Sequence, residues 1–172
     1  FITVGYHQIM LHTTHIPPGN SNGWVKIQMI NGIVEHILNQ QNENEQILCG
    51  DFNTPKFESP ETGLVTFGQN INKNGKVTTK KSFRNGLGSD WDKGERSLFE
   101  KLPEHGILET FRIHNPNDYT SFSWQFSRKG KKFANRFDHV FASETLECLD
   151  CNYVETAVEM SDHLPITAMF KK

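Results

Sequence analysis

Apolar residues along the chain follow two spacings, one typical of helices and one typical of strands. Between Trp24 and Leu38 they recur every three or four residues, which predicts an amphipathic helix. A second helix is predicted over Lys93–His105, with Gly106 ending it. The proline- and glycine-rich segment Ile16–Gly23 breaks both spacings and is predicted to be a loop.

Runs of β-branched and aromatic residues predict strands on both sides of the helices. A long strand is expected over Phe1–Thr14, and a short one, Ile47–Cys49, follows the first helix. Glu58–Asn85 has few signals and is predicted to be a long excursion with a tight turn at Asn74-Gly75. One helix–strand unit followed by many strands predicts a mixed sheet with helices on its outer face. The later predicted strands are Leu108–Ile113, Tyr119–Phe126, Phe133–Ala142, Tyr153–Val158 and Ile166–Phe170.

Length and composition fit one packed domain without a membrane span. The 172 residues include 13 Phe, enough apolar volume for a core, and no run approaches the roughly 18 apolar residues of a membrane helix. The formal net charge is -2, so attraction to a polyanion must come from a local patch. Because the chain begins with Phe1 inside a predicted strand, a fragment or processed chain is expected.

Three cysteines do not make a disulfide framework. Cys49 ends an apolar run and is expected to be a small core residue. Cys148 and Cys151 have CxxC spacing without a second pair. A zinc or redox pair is one interpretation, and two thiols near a strand in a reducing, cytoplasmic compartment are the other.

Four polar blocks lie at the ends of predicted strands. In the block Gly50–Pro55, Asp51 and Asn53 are two residues apart, so on extended chain their side chains point to the same side. The alternative for this block is a plain turn with Asx hydrogen bonds. In the block His12–Gly19, His15 lies at the loop edge and is the site candidate, whereas His12 is expected to pack.

The other two blocks lie near the end of the chain. Asp138 stands within the apolar run of Asn135–Ser143, where a carboxylate is costly unless it is paired or hydrogen-bonded. The alternative role for Asp138 is a structural ion pair with Arg136. In Ser161–Ile166, Asp162 and His163 precede the last strand and form either a turn or a pair made of a metal ligand and a phosphate-facing imidazole.

The stretches GDFNTP, RFDHVFAS and SDHLPI, in this order, resemble the GDxN, RxD and SDH motifs of the endonuclease/exonuclease/phosphatase superfamily, which includes exonuclease III-like and DNase I-like enzymes. The resemblance extends from about His15 to the C-terminus. It implies an α/β fold, the DNase I-like four-layer sandwich with two mixed β-sheets. It also implies that residues 1–172 are a single domain whose N-terminal part is missing.

The resemblance implies a divalent-metal-dependent phosphodiester hydrolase. Asp51 would orient or deprotonate the attacking water, and Asn53 would hold that water or a phosphate oxygen. His163 would contact the scissile phosphate, with Asp138 hydrogen-bonded to its imidazole. Asp162 would ligate or orient the metal, for which oxygen ligands suit Mg²⁺ or Mn²⁺.

Two departures from the family pattern narrow this implication. His15 stands where abasic-site endonucleases usually have Tyr, although other branches have His. The family's first-strand Asn and its main metal-binding Glu both precede the His15 region, and Glu35 on the predicted helix is in the wrong place for that Glu. Activity is therefore expected of the parent protein, and the isolated chain is expected to lack a principal metal ligand.

The substrate is suggested by a basic, aromatic segment. Between Tyr119 and Phe137 there are five basic residues and no acidic one. Such a segment predicts contact with a phosphate backbone, and the alternative is a solvated basic turn. A nuclease acting on DNA or RNA is therefore expected, without an obligate protein partner. The alternatives are a phosphatase or phosphodiesterase for a small or lipid phosphate, and an inactive binding module. The predicted substrate contacts are Trp124, Arg128, Lys129, Lys131 and Lys132.

Overall fold

The structure is a computed structural model that describes residues 1–40, 44–157 and 161–171. The helices are α1 (Gly19–Asn22), α2 (Val25–Gln40), α3 (Gly88–Glu104), α4 (Thr110–His114) and a 3₁₀ turn, Glu155–Ala157. The strands of the first half are β1 (Ile2–Tyr6), β2 (Ile9–His15), β3 (Glu45–Asp51), β4 (Phe57–Ser59), β5 (Gly63–Val65), β6 (Gln69–Ile71) and β7 (Val77–Thr79). The remaining strands are β8 (Ser82–Phe83), β9 (Gly86–Leu87), β10 (Ile107–Glu109), β11 (Trp124–Arg128), β12 (Lys131–Asn135), β13 (Asp138–Ser143), β14 (Cys148–Tyr153) and β15 (Ile166–Phe170).

A five-stranded mixed sheet in the order β1-β2-β3-β13-β10 forms the centre of the fold. β2 and β3 are parallel, and α2 supplies the crossover that a parallel pair requires. The other three pairs are antiparallel. In this register His15 lies opposite Asp51, and Asp51 lies opposite Asp138. The sheet therefore brings three of the predicted site residues to the same end of three neighbouring strands.

The helices α2 and α3 pack against this sheet and form the main core with it. A close approach of the two helices is possible at Gly94, where a Cβ would lie 2.5 Å from a methyl carbon of Ile27. The predicted helix over Trp24–Leu38 is confirmed, and the one predicted over Lys93–His105 begins earlier, at Gly88. The core side chains are Ile16, Ile30, Ile33, Val34, Ile37, Leu48, Phe52, Leu98, Leu102, Ile107 and Phe141.

A second, two-stranded sheet pairs β14 with β15. Phe111 of α4 joins Cys151, Tyr153 and Leu164 in a smaller core beneath it. The last strand has the predicted bounds, Ile166–Phe170. The described residues thus contain one mixed sheet with helices packed on it, as the order of predicted elements indicated, and five two-stranded sheets, of which β14–β15 covers the smaller core.

The predicted single strand Phe1–Thr14 is wrong, because the segment is a hairpin of β1 and β2. Tyr6 pairs with Ile9 across a two-residue turn. His7 adopts a φ of 54° there, which is uncommon for a residue other than glycine. The turn residues, His7 and Gln8, are polar but carry no Asn-Gly or Asp-Gly signal, so the prediction continued the strand through them.

Two predicted strands in the second half are interrupted by polar side chains. Leu108–Ile113 ends as a strand at Glu109, whose carboxylate accepts a hydrogen bond from the Arg112 amide (3.0 Å) and thereby caps α4. Phe133–Ala142 divides into β12 and β13. The break occurs where the buried Ser123 hydroxyl oxygen accepts hydrogen bonds from two successive backbone amides, at 2.8 and 2.9 Å.

Of the other two strand predictions, one has the right type with shifted bounds and the other, Tyr153–Val158, is wrong except for Tyr153. The strand predicted over Tyr119–Phe126 begins only at Trp124, because Asp118 caps a turn through the amides of Thr120 and Ser121. The strand predicted over Tyr153–Val158 ends at Tyr153, where a 3₁₀ turn follows, and Val158 lies outside the described residues. The excursion predicted over Glu58–Asn85 consists of three short hairpins. The tight turn predicted at Asn74-Gly75 is confirmed between β6 and β7, with φ of 78° at the glycine.

Candidate active site

The end of β3 turns sharply and presents Asp51 and Asn53 to one side. Gly50 has a φ of 141°, and a Cβ at this position would lie 1.9 Å from the carbonyl oxygen of Thr14 in β2. Asn53 has a φ of 50°, and both its backbone amide (2.8 Å) and its side-chain amide (2.9 Å) donate to the Asp51 carboxylate. The side-chain amide of Asn53 also donates to the carbonyl oxygen of Ile16 (2.9 Å). The predicted Asx hydrogen bonds are therefore present, and they fix the direction of the carboxylate.

A buried ion pair supports this turn from below. The Lys26 ammonium, 1% exposed, lies 2.5 Å from the fully buried Glu95 carboxylate and donates to the carbonyl oxygen of Asn53 at 2.7 Å. The second oxygen of Glu95 accepts a hydrogen bond from the Phe67 amide (2.7 Å). Burial lowers the pKa of Lys26, and the nearby Glu95 and Asp51 carboxylates offset part of that shift. The pair ties the site turn to both α2 and α3.

Asp138 and His163 meet beside Asp51. The Asp138 carboxylate lies 2.7 Å from Nδ1 of His163, so the imidazole donates there and its Nε2 remains available to a substrate. A backbone bridge between Trp124 and His163 holds the SDH segment against the start of β11. Asp138 itself is fixed at its amide by the Ser123 hydroxyl (2.9 Å).

The three side chains form one cluster. Asp51, Asp138 and His163 each offer a ligand atom, and these atoms all lie within 4.8 Å of one another. Burial raises the pKa of the Asp51 carboxyl, and the Asp138 carboxylate raises it further. The Asn53 amide and the neighbouring imidazoles of His163 and His15 act in the opposite direction. Mg²⁺ is a hard cation that prefers carboxylate oxygens and keeps several water ligands. The two carboxylates of this cluster therefore fit the implied metal, with water completing its coordination shell.

The other two predicted site residues lie at the rim of the cluster. His15 is 74% exposed, and its Nε2 is 3.5 Å from the Asp51 carboxylate. Asp162 is exposed and accepts a long hydrogen bond from the Trp124 indole (3.4 Å). The structure therefore places Asp162 beside the cluster and not among its three converging side chains. His12, the other histidine of the block His12–Gly19, is fully buried, and its imidazole is hydrogen-bonded to the Gln46 side chain (2.6 Å). It therefore packs in the interior, as predicted.

The cluster opens into a cleft of about 750 Å³. Aromatic side chains line much of it, and a hairpin of β11 and β12 forms one wall. Lys129 and Gly130 make the tip of this hairpin, with φ of 52° and 73°, and both Lys129 and Lys132 are exposed. The side chains of Arg128 and Lys131, the other two predicted cations, lie outside the described part of the structure. The aromatic lining residues are Phe57, Phe67, Phe83, Trp124, Phe126, Phe133 and Phe137.

Arg136 is bonded to carboxylates other than that of Asp138. Its guanidinium donates to Glu58 at 2.8 Å and to Glu109 at 3.1 Å, and it is 4% exposed. Burial opposes ionisation of Glu109, but Arg136 and the adjacent His139 overcome it and lower the pKa of Glu109 to about 2. The alternative of an Arg136–Asp138 ion pair is therefore not what the structure shows. Arg136 instead anchors the chain just before Asp138.

The cysteine pair lies away from this site, with Cys151 buried and Cys148 partly buried. Cys151 is fully buried with its sulfur 3.2 Å from the Thr110 hydroxyl, and burial raises its pKa to about 11. Burial also raises the pKa of Cys148 and Cys49, and all three cysteines are free thiols. These environments disfavour thiolates, which zinc binding and redox chemistry require.

The sequence pattern did not identify Lys26, Glu95 or Lys56 as part of the site. Lys56 lines the cleft directly after Pro55, and its ammonium donates to the carbonyl oxygen of Gln69 (3.0 Å). A signal for Lys26 was present, because it stands four residues before Ile30 on the core-facing stripe of α2. A charge on such a stripe indicates a buried partner, but that partner lies 69 residues away and only the tertiary structure identifies it.

Carboxylate and imidazole groups gathered beside a cleft, at the strand ends of a mixed sheet, define an α/β protein with an acidic site suited to a divalent cation. A model of the endonuclease/exonuclease/phosphatase family matches residues 6–163. The chain therefore belongs to the endonuclease/exonuclease/phosphatase family.

Two curated relatives and two solved structures are similar to the chain. An exodeoxyribonuclease of Bacillus subtilis is 26% identical over 96% of this chain and 61% of its own length. Exodeoxyribonuclease III of Haemophilus influenzae is 34% identical over 45% of this chain and 32% of its own. An AP endonuclease from Archaeoglobus fulgidus has a TM-score of 0.65 at 19% identity, covering 99% of this chain and 64% of that one. The 3′ phosphatase NExo from Neisseria, bound to a product DNA hairpin, has a TM-score of 0.66 at 17% identity, with the same coverage.

These comparisons confirm the predicted fold class. The chain has the DNase I-like α/β architecture of its structural neighbours. It spans less than two thirds of the length of each of the four proteins. Among the described residues, no helix is long and apolar enough to cross a membrane.

Proposed function

We propose that the chain supplies most of the active site of a divalent-metal-dependent phosphodiester hydrolase that cleaves nucleic acid, and that residues 1–172 belong to a single catalytic domain. The observation that carries the proposal is the convergence of Asp51, Asp138 and His163 within 4.8 Å at the cleft. Similarity to two exodeoxyribonucleases supports the same chemistry.

Phosphodiester hydrolysis needs an activated water and stabilisation of charge on the phosphoryl oxygens. Asp51 orients or deprotonates the water, and burial raises the pKa of its carboxyl, which favours the role of base. Asn53 donates to Asp51 and positions the water or a phosphate oxygen. His163 presents its free Nε2 to the scissile phosphate, while Asp138 fixes the tautomer through Nδ1. His15, at the rim, contacts the same phosphate.

Mg²⁺ or Mn²⁺ is the proposed cofactor. When bound, the ion supplies Lewis-acid stabilisation of the phosphoryl oxygens. Asp162 would ligate or orient it from the rim, beside the negative charge that Asp51 and Asp138 provide. The carboxylate oxygens of these residues are the ligands that such ions prefer.

DNA or RNA is the proposed substrate because basic and aromatic side chains meet at the cleft wall. Lys132 and Trp124 line the cleft, and Lys129 lies exposed at the tip of the same hairpin. Arg128 and Lys131 belong to the same hairpin and are proposed to contribute to its charge. The three free thiols support a proposed reducing, cytoplasmic location.

The test uses the full-length protein with Mg²⁺ or Mn²⁺, with and without EDTA, on duplex DNA, abasic-site DNA, single-stranded RNA and a small phosphodiester. EDTA-sensitive cleavage of a nucleic acid is expected. Asp51→Asn and His163→Ala should each lower turnover by about two to four orders of magnitude with the fold intact. Near-normal turnover in either variant contradicts the roles given to these residues. Cleavage of the small phosphodiester alone contradicts the nucleic-acid substrate.

A further inference from the structure

The hairpin of β11 and β12 carries exposed aromatic rings toward the cleft. Phe126 and Phe133 are cross-strand partners with rings stacked at 4.8 Å and 15°. Trp124 lies on the same face, 4.8 Å from Phe126, and its own ring is 6.4 Å from that of His163. The rings thus form a continuous row from the hairpin to the acidic cluster, which is called the aromatic row below.

The outer end of the aromatic row is open. Phe126 is 39% exposed and Phe133 is 43% exposed, and both line the cleft. The hairpin pairs with no further strand in the described ranges, apart from the bridge between Trp124 and His163. About two fifths of each side chain stays in water after folding, and that apolar surface gains nothing from folding. A ligand that covers them accounts for their presence.

We propose that Phe126 and Phe133 stack an unpaired nucleobase of the substrate, so that the enzyme selects single-stranded or unpaired positions. The inference rests on the proposed function and adds the substrate class to it. A base has a π-face that near-parallel rings can accept in any sequence. Exposed Lys129 and Lys132 on the same hairpin provide contacts for the adjoining phosphates. The cleft volume, about 750 Å³, is within the range of pockets that hold small organic ligands.

The experiment compares the affinity of the protein for two DNA probes of ten nucleotides. EDTA is present, so that binding is measured without cleavage. One probe is single-stranded with a central 2-aminopurine, and the other is a fully abasic backbone of the same length and charge. For each aromatic ring that stacks, loss of the ring should weaken binding of the first probe roughly 5- to 100-fold. Phe126→Leu and Phe133→Leu are therefore expected to weaken it, alone and together, and to reverse the quenching of 2-aminopurine fluorescence. Binding of the abasic probe should not change.

Conservative and distant variants separate stacking from folding. Phe126→Tyr keeps the ring and should retain wild-type affinity and quenching. Phe1→Leu removes an exposed ring outside the residues that line the cleft and should change neither. Circular dichroism of each variant reports whether the fold is kept.

Three outcomes overturn the inference, and they differ in what else they reject. Equal loss of affinity for both probes, or none for either, rejects stacking but does not reject the proposed nucleic-acid substrate. Failure of the wild type to bind either probe rejects the proposed nucleic-acid substrate together with the inference. If the leucine variants instead reduce binding to anionic phospholipid vesicles, the row serves a lipid.

Discussion

Replacing Lys26 by methionine should markedly lower the urea concentration at which half of the protein is unfolded. Methionine keeps much of the side-chain volume but cannot donate to Glu95, 2.5 Å from the ammonium, or to the Asn53 carbonyl oxygen, 2.7 Å from it. Because Glu95 is fully buried, its carboxylate would lose its counter-charge without gaining water. Breaking such a pair costs about 3–5 kcal/mol, a large part of the roughly 5–15 kcal/mol stability of a domain. With a slope of about 2–3 kcal/mol per M, the midpoint should fall by about 1–2.5 M.

Equilibrium urea unfolding followed by tryptophan fluorescence measures this loss. The double variant Lys26→Met/Glu95→Gln removes both charges and keeps an acceptor for the Phe67 amide, so it should be more stable than the single variant. Lys93→Met, on an exposed position of α3, should change stability by less than about 0.5 kcal/mol. A loss below about 1 kcal/mol for Lys26→Met, or a double variant whose losses simply add, refutes a charged pair at this position.

Three further perturbations follow from the structure. Glu109 has its pKa lowered from 4.5 to about 2, so its contribution, up to about 3 kcal/mol, is complete above pH 4.5 and is lost as the pH falls toward 2. Unfolding free energies at pH 7 and 3 should therefore differ less in Glu109→Gln than in the wild type, and an equal difference contradicts the shift. Gly50→Ala should cost at least about 2 kcal/mol through its positive φ and backbone clash, whereas Gly32→Ala, with open space at its Cβ, should be neutral or stabilising in the same urea assay. Lys129→Ala with Lys132→Ala should reduce the salt dependence of nucleic-acid binding by up to about two units of slope, and an unchanged slope means that the hairpin tip is merely solvated.

The places of Asp51 and Asp138 in the fold could be predicted because each lies at a strand end. An apolar strand running into Gly50 and Asp51 has a local signature, as does a carboxylate within the run that holds Asp138. The convergence of these segments was an expectation of the resemblance, and the sheet register supplies the distances. For the ion pair of Lys26 with Glu95, the local pattern could place Lys26 on the buried face of α2 but could not identify its partner. Each partner satisfies the other only after α2 and α3 have packed together.

The errors in the predicted elements have a common physical cause. A hydrophobic pattern reports which residues are buried, but it does not report where the backbone hydrogen bonds end. The hydroxyl of Ser123 divides the run Phe133–Ala142, and the carboxylate of Glu109 turns the run Leu108–Ile113 into a cap and a helix. Both polar groups act on backbone amides, one of them from a distant segment. Such interruptions are invisible to the spacing of apolar residues.

The start of β13 links the parts of the site mechanically. Three consecutive residues there contact different parts of the structure. Arg136 forms ion pairs with Glu58 and Glu109. Phe137 packs on Trp124 with ring centroids 5.3 Å apart, and Asp138 is hydrogen-bonded to His163. Ser123 is fully buried and accepts hydrogen bonds from the amides of the second and third of them, and its own chain continues directly into the aromatic row. The aromatic row and the Asp138–His163 pair are therefore joined through Ser123 and one short stretch of backbone.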